Sequence, residues 1–231
     1  MADYNILVKN KSGSARAYFL FVEPPKVSGV GASDVYQNVY ITAPSVPNNT
    51  GTASIRVHKD FYAVTGTSPS PLGASVSVTT GDYEIANICQ ESNGNVTPGS
   101  TTHVSFQNGG VEFNTGMLKQ SCQSAGSFSI ITDSSFDYPN PDNIFIGMGA
   151  LDPHDSTNIV PVATFAAQPS TTNIVTPVTK YWISWGTYTP GEIIDVTTIA
   201  TPAMVDFTGK DASLAKVVHN SNGTWDVTYN S

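Results

Sequence analysis

The chain has 231 residues, with 18 acidic residues against 10 lysines and arginines, so its formal net charge is −8. Such a chain lacks the basic footprint of a nucleic-acid-binding protein, and no apolar run approaches the ~20 residues of a membrane span. Charged residues make up only 12%, whereas Ser, Thr and Asn number 25, 26 and 17, so the surface is mostly neutral and polar.

The apolar residues predict an all-β protein. Hydrophobic residues make up 39% of the chain, which is enough for a packed core. Val and Ile number 23 and 15, whereas Leu numbers only 6. Because β-branched side chains fit pleated sheets and Leu favours helices, we expect a β-sandwich architecture.

Short alternations of apolar and polar residues, separated by Gly, Pro, Asn and Ser, predict two series of strands. The first series comprises Tyr4–Asn10, Ala17–Val22, Val35–Thr42, Thr52–Thr65, Ala74–Thr80, Thr102–Gln107 and Val111–Phe113. The second comprises Phe128–Thr132, Ile144–Met148, Ile159–Ala166, Asn173–Val178, Lys180–Tyr188, Ile193–Thr198, Ala203–Phe207, Ala215–His219 and Trp225–Tyr229. The best helical candidates are short, at Met117–Gln123 and Asp211–Lys216.

The two series resemble each other and predict an internal repeat. The segment from Phe61 to Thr67 matches the segment from Tyr181 to Thr187, and a proline turn follows each. Asn-Gly pairs at Asn108 and Asn222 each predict a hairpin, because both turn residues must accept positive φ. We therefore predict a β-sandwich repeat over residues 1–113, a connector over 114–125 and a second repeat over 126–231. The alternative is one larger sandwich or barrel to which both halves contribute.

The N-terminal segment reads as a strand rather than a secretory signal, because its apolar run is only three residues long. We therefore expect a cytoplasmic protein, or a secreted one if an expression Met has replaced a signal peptide. Cys89 and Cys122 are expected to be two reduced thiols, since a single pair lacks the density of a disulfide scaffold.

Local metal and catalytic motifs are missing from the sequence. No two of the four histidines lie at metal-ligand spacing, and no Cys-x-x-Cys occurs. Residues 152–156 (Asp-Pro-His-Asp-Ser) predict a polar turn rather than a metal site, and a calcium site among Asp133, Asp137 and Asp142 stays a minor alternative. We expect no tightly bound transition metal and no cofactor.

The more informative feature is aromatic. All three tryptophans lie in the second half of the chain, where the matching strand of the first half has none. In a strand, Tyr181, Ile183 and Trp185 face one side, and Trp182 faces the other. Flat rings in a groove stack on sugars or other ring-shaped ligands. The predicted ligand-binding residues are therefore Tyr181, Trp182, Trp185, Tyr188 and Trp225, although packing of the same rings inside the sandwich is an open alternative.

Three classes of function fit these observations. We expect a non-catalytic, lectin-like binding protein for a carbohydrate or a neutral ring-containing small molecule, with no nucleic-acid or membrane partner. Its neutral, Ser/Thr/Asn-rich composition resembles that of soluble fungal and plant β-sandwich proteins, including some lectins, but assigns no residue a role. The alternative is a cofactor-independent cyclase or isomerase with an aromatic-lined pocket. The third is a structural or self-assembling β protein with exposed sheet edges, and a homo-oligomer is left open.

Overall fold

The protein is all-β in the computed structural model, which describes residues 3–31, 34–116 and 121–230. The strands in chain order are β1 (Tyr4–Asn10), β2 (Arg16–Val22), β3 (Lys26–Val27), β4 (Tyr36–Gln37), β5 (Val39–Val46), β6 (Thr52–Val57), β7 (Phe61–Gly66), β8 (Asp82–Ala86), β9 (Gln90–Ser92), β10 (Asn95–Thr97), β11 (Gly99–Gln107), β12 (Gly110–Phe113), β13 (Ser121–Cys122), β14 (Phe128–Thr132), β15 (Phe145–Asp152), β16 (Asp155–Ala166), β17 (Thr172–Thr176), β18 (Lys180–Trp185), β19 (Ala203–Asp206), β20 (Leu214–His219) and β21 (Trp225–Asn230).

The strands form four main sheets and one small hairpin. Sheet I has the order β21-β20-β1-β6, and sheet II has the order β19-β18-β2-β5. Sheet III has the order β12-β11-β14-β17-β3 with β13 added to β11, and sheet IV has the order β4-β16-β15-β7-β8. The strands β9 and β10 pair only with each other in the described chain.

Sheets I and II face each other across an aromatic core. Tyr4 of sheet I stacks on Phe207 at a centroid distance of 4.0 Å, and its ring meets that of Tyr181 edge-on at 6.2 Å. Sheet III meets sheet IV where β12 lies against β7 and β8. One continuous cluster of buried residues runs through all four sheets. The chain therefore forms two connected sandwiches.

The same strand plan occurs twice in the molecule. In sheet I the central pair, β1 and β20, is parallel, and in sheet III the central pair, β14 and β11, is parallel as well. Sheets II and IV share an antiparallel four-strand plan, β19-β18-β2-β5 in one and β8-β7-β15-β16 in the other. A register shift interrupts the pairing of β2 with β5 between Leu20 and Phe21, and a corresponding shift interrupts β15 and β16 between Met148 and Gly149.

A buried polar contact is repeated at corresponding places. Asn10, at the end of β1, donates its side-chain amide to the carbonyl oxygen of Val46 at 2.7 Å. Thr132, at the end of β14, donates its hydroxyl to the carbonyl oxygen of Gln168 at 2.5 Å. Each of the four main sheets combines strands from both sides of residues 114–125. This sharing fits the alternative of one larger unit, while the internal repeat and the boundaries at 113 and 126 stay predictions.

Two predicted strands are covering segments instead. Residues 74–80 and 193–198 form only isolated bridges, and they lie over the outer faces of sheets IV and II. Val78 and Ile194 are buried in apolar clusters on those faces, whereas Ala74 and Val196 are exposed. The two segments also bind each other: Ser75 donates its N–H to Ile193 O, and Ile193 donates its own to Val76 O, both at 2.8 Å. Sheets II and IV are thus covered on both faces, which explains the apolar patterns that resembled strands.

Two further predictions need correction. The predicted strand Thr52–Thr65 is two strands, since the chain leaves sheet I after β6 and enters sheet IV with β7. The helix predicted over Asp211–Lys216 is wrong, because β20 begins at Leu214 and buries alternate residues against sheet II. Most of the other helical candidate, Met117–Gln123, lies outside the described residues, and Ser121–Cys122 is a strand.

Candidate functional site

The five predicted aromatic residues lie on the two sides of sheet II, and the strand period divides those on β18 between its two faces. Tyr181 is buried in the main core, and Trp185 packs against that core from the same face of β18. Trp182 and Tyr188 pack on the opposite face, in a small cluster with Phe19. The five side chains therefore do not form a single site.

The outer-face rings are engaged by neighbouring side chains. Trp182 donates its indole N–H to a carboxylate oxygen of Glu23 at 2.5 Å. The ring of Tyr188 lies 4.4 Å, centroid to centroid, from that of Phe19. Both rings are half-buried, and their role as ligand contacts stays a prediction.

On the inner face, the protein itself supplies a cation to Trp185. The guanidinium carbon of Arg16 lies 3.9 Å from the centre of the indole ring, which is the geometry of a cation–π contact. Tyr18, directly opposite Trp185 on β2, is fully buried. One face of Trp185 is thus occupied by Arg16.

Trp225 is held in place by a second aromatic stack beside Tyr18. Its indole lies parallel to the imidazole of His219, with the ring centres 4.0 Å apart. Its N–H donates to the carbonyl oxygen of Thr201 at 2.9 Å, and its ring meets Tyr18 edge-on at 6.0 Å. Three contacts therefore hold the half-buried indole of Trp225 in place.

Behind Trp225 lies a buried pair of titratable groups. The hydroxyl oxygen of Tyr18 lies 3.0 Å from Nδ1 of His219. Burial raises the pKa of Tyr18 to about 12, so this hydroxyl is protonated at neutral pH. Burial, together with the nearby Arg16 guanidinium, lowers the pKa of His219. A neutral imidazole with its proton on Nε2 accepts the hydroxyl hydrogen at Nδ1, so the stack on Trp225 is uncharged at neutral pH.

Trp225 lines an open groove of about 480 Å³ between the edge strands β19 and β21. The described lining contains no charged side chain, and it combines one indole with hydroxyl, amide and small apolar groups. Its members are Thr201, Pro202, Ala203, Met204, Asn222, Gly223, Thr224, Trp225 and Val227. The groove presents the chemistry that a neutral, ring-containing ligand requires.

A polar cleft adjoins this groove, and Asn222 lines both. Its volume is about 570 Å³, and its lining is rich in asparagine with one lysine: Lys11, Gly13, Asn48, Asn49, Asn220, Ser221 and Asn222. Asn amides both donate and accept hydrogen bonds, as hydroxyl groups of a ligand do. Together, the groove and the cleft place the indole ring of Trp225 next to several asparagine side chains.

Sequence reasoning missed a different cleft, beside the edge strand β8. It has a volume of about 480 Å³ and carries Glu84 and His103 among Thr and Asn side chains. His103 Nε2 is buried without a hydrogen-bond partner in the described structure. Glu84 and His103 are far apart in the sequence, and only the approach of β8 to β11 brings them to one cleft. No spacing signal marks such a pair.

The structure also locates the residues that were considered for metals. Residues 152–156 form the predicted turn between β15 and β16, where Asp152 accepts the backbone N–H of His154 at 2.9 Å. Cys89 and Cys122 are free and buried. Within residues 3–31, 34–116 and 121–230, no group of three His, Cys, Asp or Glu side chains could hold a metal ion.

Comparison with known proteins identifies the family of this all-β, two-sandwich chain. The chain belongs to the RhiA family, whose model matches residues 1–230. No curated protein and no solved structure matches the chain. The described part of the chain contains no helix that is long and apolar enough to cross a membrane.

Proposed function

We propose that this RhiA-family protein is a non-catalytic, lectin-like binding protein, and that the groove at Trp225 takes a neutral carbohydrate or a similar ring-shaped molecule. The observation that carries the proposal is the state of Trp225. Its indole lines an uncharged groove and is already fixed by His219 and Thr201. A ring that is held before binding loses little conformational freedom when a ligand stacks on it.

The charge of the groove supports a neutral ligand. A carboxylate or phosphate ligand calls for basic partners, and a cationic ligand calls for acidic ones. The described lining of the Trp225 groove has neither, and the adjoining cleft adds a single cation, Lys11. Sugars instead need a flat apolar face and hydrogen-bonding groups. Trp225 supplies the ring, and Asn222, whose side-chain oxygen already accepts the hydroxyl of Thr224, supplies its amide N–H groups.

The test is binding of a panel of neutral methyl glycosides, compared between wild type and two tryptophan variants. Trp225→Ala is expected to weaken binding by about two- to tenfold, since aromatic stacking contributes about 0.5–1.5 kcal/mol. Trp182→Ala is the matched control, because Trp182 packs on the other side of sheet II. It is expected to retain the affinity while it lowers thermal stability.

Two outcomes contradict the proposal. The test requires a folded Trp225→Ala variant, so its melting curve is recorded beside the titration. Unfolding of both variants would assign the two rings to packing alone. An unchanged affinity of folded Trp225→Ala for a glycoside that wild type binds removes the groove as the site.

A further inference from the structure

We infer that the chain has a second sugar site, a pocket that takes one neutral pyranose ring between Tyr36 and Tyr138. This inference rests on the proposed function, since it assumes that the ligand is a neutral glycoside. The pocket lies at the end of sheet IV, on the sandwich that does not contain Trp225. One chain would then hold two sugar rings at once.

The pocket is small, and several of its lining residues have rings. Its cavity measures about 220 Å³ and is lined by Tyr36, Tyr138, Pro71 and Pro139 among others. Pockets for drug-sized ligands usually measure roughly 300–1,000 Å³. The smaller volume limits the occupant to about one ring. Tyr138 is 55% exposed, which leaves its ring available to a ligand at the rim.

Two asparagines supply polar groups of opposite kind. Asn140 accepts the backbone N–H of Asp142 at its side-chain oxygen, which leaves its amide N–H groups without a partner among the described residues. Asn143 donates its side-chain amide to Ser68 O at 3.3 Å, and its side-chain oxygen has no described partner. A sugar hydroxyl both donates and accepts, so it matches one free donor and one free acceptor.

The charge of the pocket again favours a neutral occupant. No lining residue of the described pocket carries a formal charge. The loop that carries Tyr138 is tied to the opposite wall, because Ser68 donates its N–H to Asn143 O at 3.2 Å. The ring of Tyr138 therefore stands on a loop that is held at its base, while Tyr36 stands on β4.

The loop that carries Tyr138 is longer than its counterpart in the other sandwich. The pocket loop joins β14 to β15 over residues 133–144, whereas the corresponding connection from β1 to β2 spans only residues 11–15. The shorter connection closes an equivalent strand pair without an exposed tyrosine. Phe136 and Ile144 of the longer loop pack into the core, whereas Tyr138 is largely exposed, so the ring of Tyr138 is the part of the loop that is free to serve the pocket.

The experiment measures binding of neutral methyl glycosides by saturation-transfer NMR to wild type, Trp225→Ala, Tyr138→Ala and the double variant. Each single variant is expected to keep part of the signal, and the double variant to lose it. In the Trp225→Ala background, Tyr138→Ala is expected to raise the dissociation constant by at least about fivefold. Tyr83→Ala is the matched control, because Tyr83 is also exposed but lies on β8, outside the pocket lining.

The outcomes separate this inference from the proposed function. Loss of all binding in Trp225→Ala alone overturns the second site and leaves the groove. Full binding in Trp225→Ala that disappears in Tyr138→Ala overturns the groove and leaves the second site. Absence of glycoside binding to wild type overturns both. The sugar assignment is also overturned if a proline-rich peptide binds wild type but not Tyr138→Ala, while glycoside binding is the same in both.

Discussion

The two sandwiches each carry a cleft beside an edge strand, and the two clefts have different chemistry. The groove between β19 and β21 is neutral and holds Trp225. The cleft where β8 approaches β11 and β12 holds Glu84 and His103 instead. The strands occupy corresponding places, because β19 follows β18 in sheet II as β8 follows β7 in sheet IV.

Strand pairing shows which residues correspond. Met204 pairs with Trp182, and Ile85 pairs with Tyr62 at the same point of the resembling segments. Both are exposed, Met204 at 46% and Ile85 at 54%. On the opposite sheets, Trp225 pairs with His219 as Phe113 pairs with Val104.

The difference separates what packing needs from what it does not. Phe113 is only 6% exposed and fills the core of its sandwich. Trp225 occupies the corresponding place, yet it is half-buried and lines a groove. Since a phenyl ring suffices to pack this corner, the exposed part of the indole has no packing role, and this supports a role in binding.

The largest expected effect tests this contrast. Phe113→Ala removes a buried ring and should lower the free energy of unfolding by about 3–5 kcal/mol. Trp225→Ala should cost less than half as much, because part of the indole is already in water. Urea unfolding of both variants measures the difference. Equal losses would show that the two rings do the same structural work.

A second variant tests the junction between the two sandwiches, where Asn38 lies between β4 of sheet IV and β5 of sheet II. Asn38 is fully buried, donates its side-chain amide to Gly191 O at 2.9 Å and accepts the hydroxyl of Thr164 at 3.0 Å. Asn38→Ala leaves both groups unpaired, and we expect a loss of about 2–4 kcal/mol. Asn230→Ala, on an exposed edge, is the control and should stay within about 0.5 kcal/mol. If Asn38→Ala were as stable as Asn230→Ala, the described contacts of Asn38 would be contradicted.

A third prediction uses pH, since His219 stands where the other sandwich has Val104. The folded-state pKa of His219 lies below its ordinary value, so the unfolded chain binds its proton first as the pH falls. Its contribution to stability is therefore complete above about pH 6.5 and declines as the pH falls towards the folded-state pKa. Chemical unfolding at pH 7 and pH 5 should show this decline in wild type and a smaller one in His219→Val.

The matched control for the pH experiment is His154→Gln, because His154 is an exposed turn residue. Its pH dependence should equal that of wild type. A His219→Val variant with the full wild-type decline would assign the effect to other groups.

The smallest expected effect sharpens the comparison at the exposed residues. Met204→Thr and Ile85→Thr should each change stability by no more than about 0.5 kcal/mol, because both side chains are largely in solvent. Only Met204→Thr should change the affinity for a methyl glycoside, since Met204 lines the Trp225 groove. Equal effects of the two variants on binding would mean that the groove does not hold the ligand.

Strands were predictable both where burial alternates, as in β1, and where burial is nearly continuous, as in β14. Tyr4–Asn10 and Phe128–Thr132 have the bounds predicted from their patterns. The same reasoning failed for residues 74–80 and 193–198, because an apolar segment that covers a sheet has the composition of a strand without its pairing. The pattern of apolar residues indicates which residues are buried. In these two segments the buried residues pack over a sheet face and do not belong to a paired strand.

The candidate sites were less predictable than the strands. Alternation along β18 correctly divided Trp182 from Trp185 between two faces, but it could not show that Arg16 covers Trp185. Trp225 entered the prediction as an aromatic residue near the others, whereas its groove depends on two strand edges. The pocket of Tyr36 and Tyr138 joins residues about a hundred positions apart, and no local pattern connects them.

The most direct test of the central claim is a fluorescence titration of a protein whose only tryptophan is Trp225, made by Trp182→Phe and Trp185→Phe. The account predicts that the neutral methyl glycoside bound by wild type changes the intensity or wavelength of this single indole, and that the change saturates at the dissociation constant measured by NMR. A glycoside that binds this protein with wild-type affinity and leaves the Trp225 emission unchanged would contradict the account.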